Sequence, residues 1–164
     1  MTSPSETAAA VRAHLASWFD SLGAPDTASV TFLGIEPIDI LRFGPDPEND
    51  YFYVTVGCSR YPMVDPSSYL ADPVRGPRAE VLLRVKGGAG PESGIARTLA
   101  VIAAVPSVDG VVLKEGLKLR LGAPLWKGAA ETGVTIEPSG VADLVLPSPA
   151  EPVRFFSADP FVED

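Results

Sequence analysis

The chain holds one cysteine, one histidine and only 13 basic residues against 21 acidic ones in 164 residues. Each shortage closes a class of function. Cys58 alone allows no intrachain disulfide and no cysteine-rich zinc site. A Ser–His–Asp or Cys–His constellation has only His14 to draw on. That histidine sits at the edge of an apolar helix face, and no sequence context gives it an orienting partner, so it reads as a packed or surface side chain. The GxSxG elbow of acyl-transfer enzymes is missing as well.

Basic charge is scarce and scattered. The net charge is −8, distributed as −6 over residues 1–50, +2 over 51–100 and −4 over 101–164. Without a basic stripe the chain is a poor nucleic-acid binder, because phosphate-backbone recognition needs clustered Lys and Arg. A macromolecular partner is better sought among proteins with a basic surface. The same acidity also serves solubility. Long hydrophobic runs are missing too: Leu99–Val105 is the longest and far too short to span a bilayer. MTSPSETAAA has no basic n-region before an apolar stretch, so no signal peptide and no membrane role are expected, and the compartment is the cytoplasm.

What is present describes one domain over 1–164. Apolar residues make up 46%, enough for a core at this length, while 17 prolines and 15 glycines imply many turns. Ser3, Pro4 and Glu6 form the start signal of a helix whose apolar face is Val11, Leu15, Trp18 and Leu22, with Gly23 placed to end it. Ser29–Gly34, Pro37–Phe43 and Tyr51–Gly57 read as three strands of an antiparallel meander. In the third, Phe52, Val54 and Val56 face one side while Tyr51, Tyr53 and Thr55 face the other. Residues 59–78 form a long irregular connection, of a length that is often functional. Ala79–Val85 is a fourth strand, and Ser93 caps a second helix, over about 93–105, that Pro106 stops. The last third holds four or five short apolar segments bounded by Gly and Pro. The fold class is α+β: a mixed, largely antiparallel sheet flanked by an N-terminal helix and the second helix.

Chemistry-bearing residues are few. Cys58 follows Gly57 at a strand end, and with only Arg60 near it in sequence it reads as buried and inert. Gly87–Gly94 (GGAGPESG) lacks the GK[ST] ending of a phosphate loop, and Ser93 stands where GxGxxG needs its third glycine, so it is a hinge-like strand-to-helix connector. Asp39 lies inside an apolar strand and shares its face with Leu41. Paired with an arginine such as Arg42 or Arg84, it is structural. No metal-ligand spacing and no cofactor motif stands out. Loop aromatics are the best binding signal: Arg60, Tyr61 and Met63 bring three interface-favoured types within four positions, and Trp126 sits in GAPLWKG.

Five blocks then fall in an ordered series: TVGCSRYPM (Thr55–Met63), AEVLLRV (Ala79–Val85), LAVIAAVPS (Leu99–Ser107), LGAPLWKGA (Leu121–Ala129) and VRFFSADP with Arg154 in it. This order resembles the Suppressor-of-fused-like domain family, and in particular its small single-domain bacterial members. The family's Thr-x-Gly-x-Ser-x-x-Pro-Met strand end is matched by Thr55, Gly57, Ser59, Pro62 and Met63. Ala79-Glu80-Val81 matches its Ala-Glu-Leu type strand, Pro124, Leu125 and Trp126 its Gly/Pro-Leu-Trp turn, and Ile38-Asp39-Ile40 its apolar-Asp-apolar strand. The matches span about residues 30–160. The sequence departs from the pattern at Pro160–Asp164, where family members often continue into an acidic helical segment, so a contact surface carried by such a tail is expected to be reduced. The resemblance implies a mixed sheet with flanking helices and a role in protein binding. Animal relatives sequester a transcription factor, with an additional domain, and some bacterial relatives look like immunity proteins that accompany toxins. No catalytic residues carry over.

The expectation is therefore a non-enzymatic protein-binding module, an immunity or sequestering protein that docks on a basic, toxin-like partner. Ser59, Arg60, Tyr61, Met63 and Trp126 are its candidate contacts. Two alternatives stand beside it: a small-molecule enzyme using Asp39, Asp65 and Glu80 for acid–base work, and an oligomerising accessory protein.

Overall fold

Helix α1, Pro4–Trp18, begins where the sequence signals it. The Ser3 hydroxyl accepts the Glu6 N–H at 3.1 Å, and the Ser3 N–H donates to the Glu6 carboxylate at 3.1 Å. In the computed structural model, which describes residues 2–32, 34–64, 67 and 72–163, the chain continues through a seven-stranded sheet and a second long helix. The strands are β1 Asp26–Val30, β2 Ile38–Phe43, β3 Asp50–Val56, β4 Arg78–Lys86, β5 Lys118–Arg120, β6 Gly133–Pro138 and β7 Val153–Phe161; helix α2 is Ile95–Asp109.

The sheet order is β1-β2-β3-β4-β7-β6-β5. All neighbours are antiparallel except β4 and β7. A parallel neighbour requires a crossover, and α2 lies within the one between β4 and β7. The meander expected from the sequence is present as β1–β3 and extends to β4. The α+β class with its N-terminal helix is also as the sequence implies.

The two helices cover opposite faces. Val11, Leu15 and Phe19 pack with Leu41, Phe43, Val54, Val56 and Leu82 on one side. On the other, Ile95, Leu99 and Ile102 pack with Ile38, Ile40, Tyr53, Val81 and Leu83. The alternation read in β3 holds: Phe52, Val54 and Val56 serve the α1 layer, Tyr51 and Tyr53 the α2 layer. Burial of these apolar faces is what stabilises the layers.

Several boundaries differ from the sequence reading. Trp18 is not a core residue: it is 48% exposed, and Phe19 takes the buried place, stacked on Phe43 at 4.7 Å. The cause is the end of α1 at Trp18; a 3-10 turn over Asp20–Leu22 follows, and Gly23 closes that turn rather than α1. The first strand lies at Asp26–Val30, not Ser29–Gly34. Helix α2 has Gly94 at its N-cap position, the Ser93 hydroxyl accepts the Ile95 N–H at 3.4 Å, and the helix runs through Pro106 to Asp109. Pro106 removes one bond to the Ile102 carbonyl, and the apolar packing of the helix offsets that loss. Among the described residues the last third has three strands rather than four or five. Val141–Leu146 contributes only a bridge from Leu144 to Val153.

Candidate functional site

The strand end after β3 is built around one carboxylate. Glu80, on β4, is fully buried (0% exposed). It accepts the Thr55 hydroxyl at 2.7 Å, the N–H groups of Gly57 (3.0 Å), Cys58 (3.2 Å) and Ser59 (3.0 Å), and the Ser59 hydroxyl. Thr55 Oγ1 in turn accepts the Val81 N–H at 2.9 Å, so it substitutes for a backbone partner where the β3–β4 ladder ends. Burial pushes the Glu80 carboxyl above its ordinary pKa, and the donors from Ser59, Gly57 and Thr55 pull it back.

The same turn is gripped through its carbonyls. Two positions earlier on β4, the buried Arg78 donates from Nη1 to the carbonyls of Ser59 (2.8 Å) and Arg60 (3.0 Å), and from Nη2 to Val74 (3.2 Å). Residues i and i+2 of a strand project to one face, so Arg78 and Glu80 form a single clamp. The turn itself, a 3-10 segment at Cys58–Arg60, needs Gly57 at φ 139°. A Cβ there would lie 2.8 Å from Arg60 Nη1 and 3.0 Å from Ile38 Cδ1.

The clamped turn decides where the sequence-nominated contacts point. Ser59 and Met63 are buried. Met63 is fixed by its N–H on the Pro77 carbonyl at 2.7 Å, and its Sδ accepts the Leu113 N–H at 3.3 Å. Arg60 folds back, donating to the Pro37 carbonyl at 2.6 Å and pairing with Glu36 at 3.6 Å. Tyr61 alone of this set turns outward, 53% exposed, with its hydroxyl 3.4 Å from Glu36. It borders a cleft of about 370 Å³ whose walls include Ile35, Ile38, Cys58, Ala103 and Ala104. Trp126 is not part of that surface. It packs against the α2-side core, and its neighbour Leu125 accepts the Thr98 hydroxyl in the first turn of α2, whereas Tyr61 sits beside the last turns.

Of the acids nominated for acid–base work, Asp39 and Glu80 are separately occupied. Asp39 pairs with Arg12 of α1 and accepts the Ser29 hydroxyl. Neither sequence-nominated arginine is its partner: Arg42 pairs with Asp26 and Arg84 with Asp50. Glu80 is enclosed in the turn, and Asp65 lies outside the described residues. Burial, with a smaller contribution from the Glu80 charge, pushes the Cys58 thiol well up. His14 stacks on Phe155 at 5.2 Å and its Nε2 meets the Ala142 carbonyl at 2.7 Å. In the Gly87–Gly94 connector, Ala89 is pinned through both its N–H and its carbonyl to the Tyr53 hydroxyl, each at 2.8 Å.

One cluster escaped the sequence reading. Asp46, Glu48 and Asp50 bring carboxylate oxygens within 4.8 Å of one another. Arg84 pairs with Glu48 and Asp50, and Lys86 with Asp50, so the turn is held by cations of β4. The alternating acids of PDPEND were its only signal.

A family model described as Suppressor of fused protein (SUFU) matches residues 34–163. The chain belongs to the suppressor-of-fused family. No curated protein matches it. Family membership points to a protein-interaction module. Within this suppressor-of-fused domain, the Thr55-Gly57-Ser59 block and the Ala79-Glu80-Val81 block, distant in sequence, are the two halves of one hydrogen-bonded clamp. No helix among the described residues is long and apolar enough to cross a membrane.

Proposed function

We propose that this suppressor-of-fused domain is a non-enzymatic binding module that docks on another protein and blocks it sterically, in an immunity or sequestering role. The observation that carries the reading is the Tyr61 edge: an exposed aromatic ring beside a cleft, on a turn whose N–H groups and carbonyls are fixed by Glu80 and Arg78. A rigid aromatic anchor loses little conformational freedom on binding, which is where affinity is usually lost. Ser59 and Met63 act from inside by shaping this edge, Arg60 aligns Glu36 beside Tyr61, and Trp126 supports a separate surface near the start of α2. The net charge of −8 favours a basic, toxin-like partner, and association should slow as salt screens the attraction.

The test is photo-crosslinking in cells that also make the product of the neighbouring reading frame. Benzoylphenylalanine replaces Tyr61 in one variant and the exposed Val145 in another. The expected result is a hetero-adduct from position 61 and none from 145. Equal adducts from both positions, or none from 61, contradict the reading, and a self-adduct from 61 points to the oligomerising alternative.

A further inference from the structure

A second cleft, of about 310 Å³, lies between the edge strand β1, its neighbour β2 and the N-terminal end of α2. Its apolar walls come from three elements: Ala28 and Ile40 of the sheet, Ala89 and Pro91 of the connector, and Ile95 and Ala96 of the helix. The connector wall is fixed, because Tyr53 holds Ala89 through both backbone groups. A row of paired residues, Asp26, Arg42 and Tyr53, crosses three strands and brings charge to this otherwise apolar space. Among the described residues Arg42 has one carboxylate partner, Asp26, bonded through Nη2 alone, and its guanidinium lies 5.3 Å from the Tyr51 ring centre. Of the two charges the cation is the more enclosed: the Arg42 side chain is 36% exposed, that of Asp26 74%. The first turn of α2 carries no acidic residue, so nothing there opposes a ligand anion.

We propose that this cleft binds a small apolar carboxylate, with the hydrocarbon against Ile40, Ile95 and Pro91 and the carboxylate on the Arg42 guanidinium. An arginine recognises a carboxylate through two parallel N–H donors, and Asp26 occupies only one amino group. Displacing Asp26 is easy because exposed ion pairs contribute little. The volume lies at the small end of ligand sites, and at about 30 Å³ for each water-sized group it admits a molecule of about ten non-hydrogen atoms. The site lies at the opposite end of α2 from Tyr61, so it stands or falls independently of the docking role.

The test is titration of the full chain with phenylacetate, 2-phenylethanol and phenylethylamine, followed by amide NMR. These share an aromatic body and differ in head-group charge. Phenylacetate is expected to shift the amides of Ala28, Ile40, Ala89, Gly90 and residues 92–96, and to bind about tenfold more tightly than the alcohol. Arg42→Gln should lower phenylacetate binding to the level of the alcohol and leave the alcohol unchanged. Ala96→Leu, which fills the cleft, should abolish both. Absence of shifts at 89–96 up to about 10 mM overturns the site. Equal binding of the amine and the acid overturns the carboxylate assignment, and the unaltered protein alone decides this if Arg42→Gln fails to fold. Undiminished binding in a folded Ala96→Leu overturns the location.

Discussion

Replacing Glu80 tests whether the turn depends on its buried carboxylate. In Glu80→Ala the amides of Gly57, Cys58 and Ser59 and the hydroxyls of Thr55 and Ser59 lose their acceptor together. A buried donor left without a partner costs about 1–3 kcal/mol, so the three fixed amides alone set a range of roughly 3–9 kcal/mol. Water entering the vacated volume satisfies some of them, which brings the expectation to about 4 kcal/mol. For a chain of this size that is a fall in Tm of about 8–16 °C. Glu80→Gln is the sharper variant, since it keeps the shape, removes the charge and turns one acceptor into a donor that faces other donors. It should destabilise by about 2–3 kcal/mol, because donors at this site outnumber the acceptor it retains.

The pH dependence of that difference has a definite sign. Burial raises the folded pKa of Glu80, so its contribution is full below the ordinary value of 4.5 and is lost as pH rises through the folded pKa. Glutamine has no such dependence, so the gap between the wild type and Glu80→Gln is widest near pH 4 and narrows toward neutrality. Urea denaturation at several pH values measures it. A Gln variant as stable as the wild type at every pH would refute the clamp, because the acceptor pair of the carboxyl group would then contribute nothing that a carboxamide does not.

Other substitutions give separate readings. Arg78→Met removes the donors to the Ser59 and Arg60 carbonyls and should cost about 2–4 kcal/mol in urea unfolding, with a value near zero showing that water replaces the guanidinium without loss. Gly57→Ala forces a Cβ against Arg60 and Ile38 at φ 139° and should destabilise by about 2–4 kcal/mol, whereas an unchanged Tm would mean that the turn readily adopts another conformation. Tyr61→Ala should change stability by less than about 0.5 kcal/mol while removing the hetero-adduct's counterpart in pull-down with the neighbouring product, and a large loss of stability would recast Tyr61 as a packing residue. Asp50 is held below its ordinary pKa of 3.8, first by its hydrogen bond to Arg84, so its contribution is present above that pH and lost as pH falls through the depressed value. Asp50→Asn should therefore flatten the acid limb of the stability profile, and an unchanged limb would contradict the Arg84 pairing.

Local and periodic features were legible in the sequence, and features set by pairing across long separations were not. The α1 start lies within four residues, and β3 alternates because its two faces meet different helices. The position of β1 was missed because Asp26–Val30 is an exposed edge strand placed by register, with Asp26 opposite Arg42 and Ser29 opposite Asp39, rather than by apolar content. The more hydrophobic stretch after it contributes Phe32, which lies beneath Arg97 at 5.6 Å. Trp18 and Phe19 illustrate the same limit: both continue an apolar stripe, and only the end of the helix decides which enters the core. The family blocks marked the right strand end, and they included Glu80 within Ala79-Glu80-Val81. Its partners sit 21 to 25 positions away, so its structural role was invisible in any local window. For the same reason Ser59 and Met63 read as contact residues, although Glu80 holds the Ser59 hydroxyl inside and Met63 is buried against Leu113.

Amide hydrogen exchange in the wild type and Glu80→Gln measures the fixation of this turn directly. The amides of Gly57, Cys58 and Ser59 should exchange in the wild type only through the opening that also exposes β4, with matching free energies. In Glu80→Gln they should exchange faster than the β4 amides under native conditions. Rapid exchange of all three in the wild type, while β4 stays protected, would contradict a turn held by its buried carboxylate.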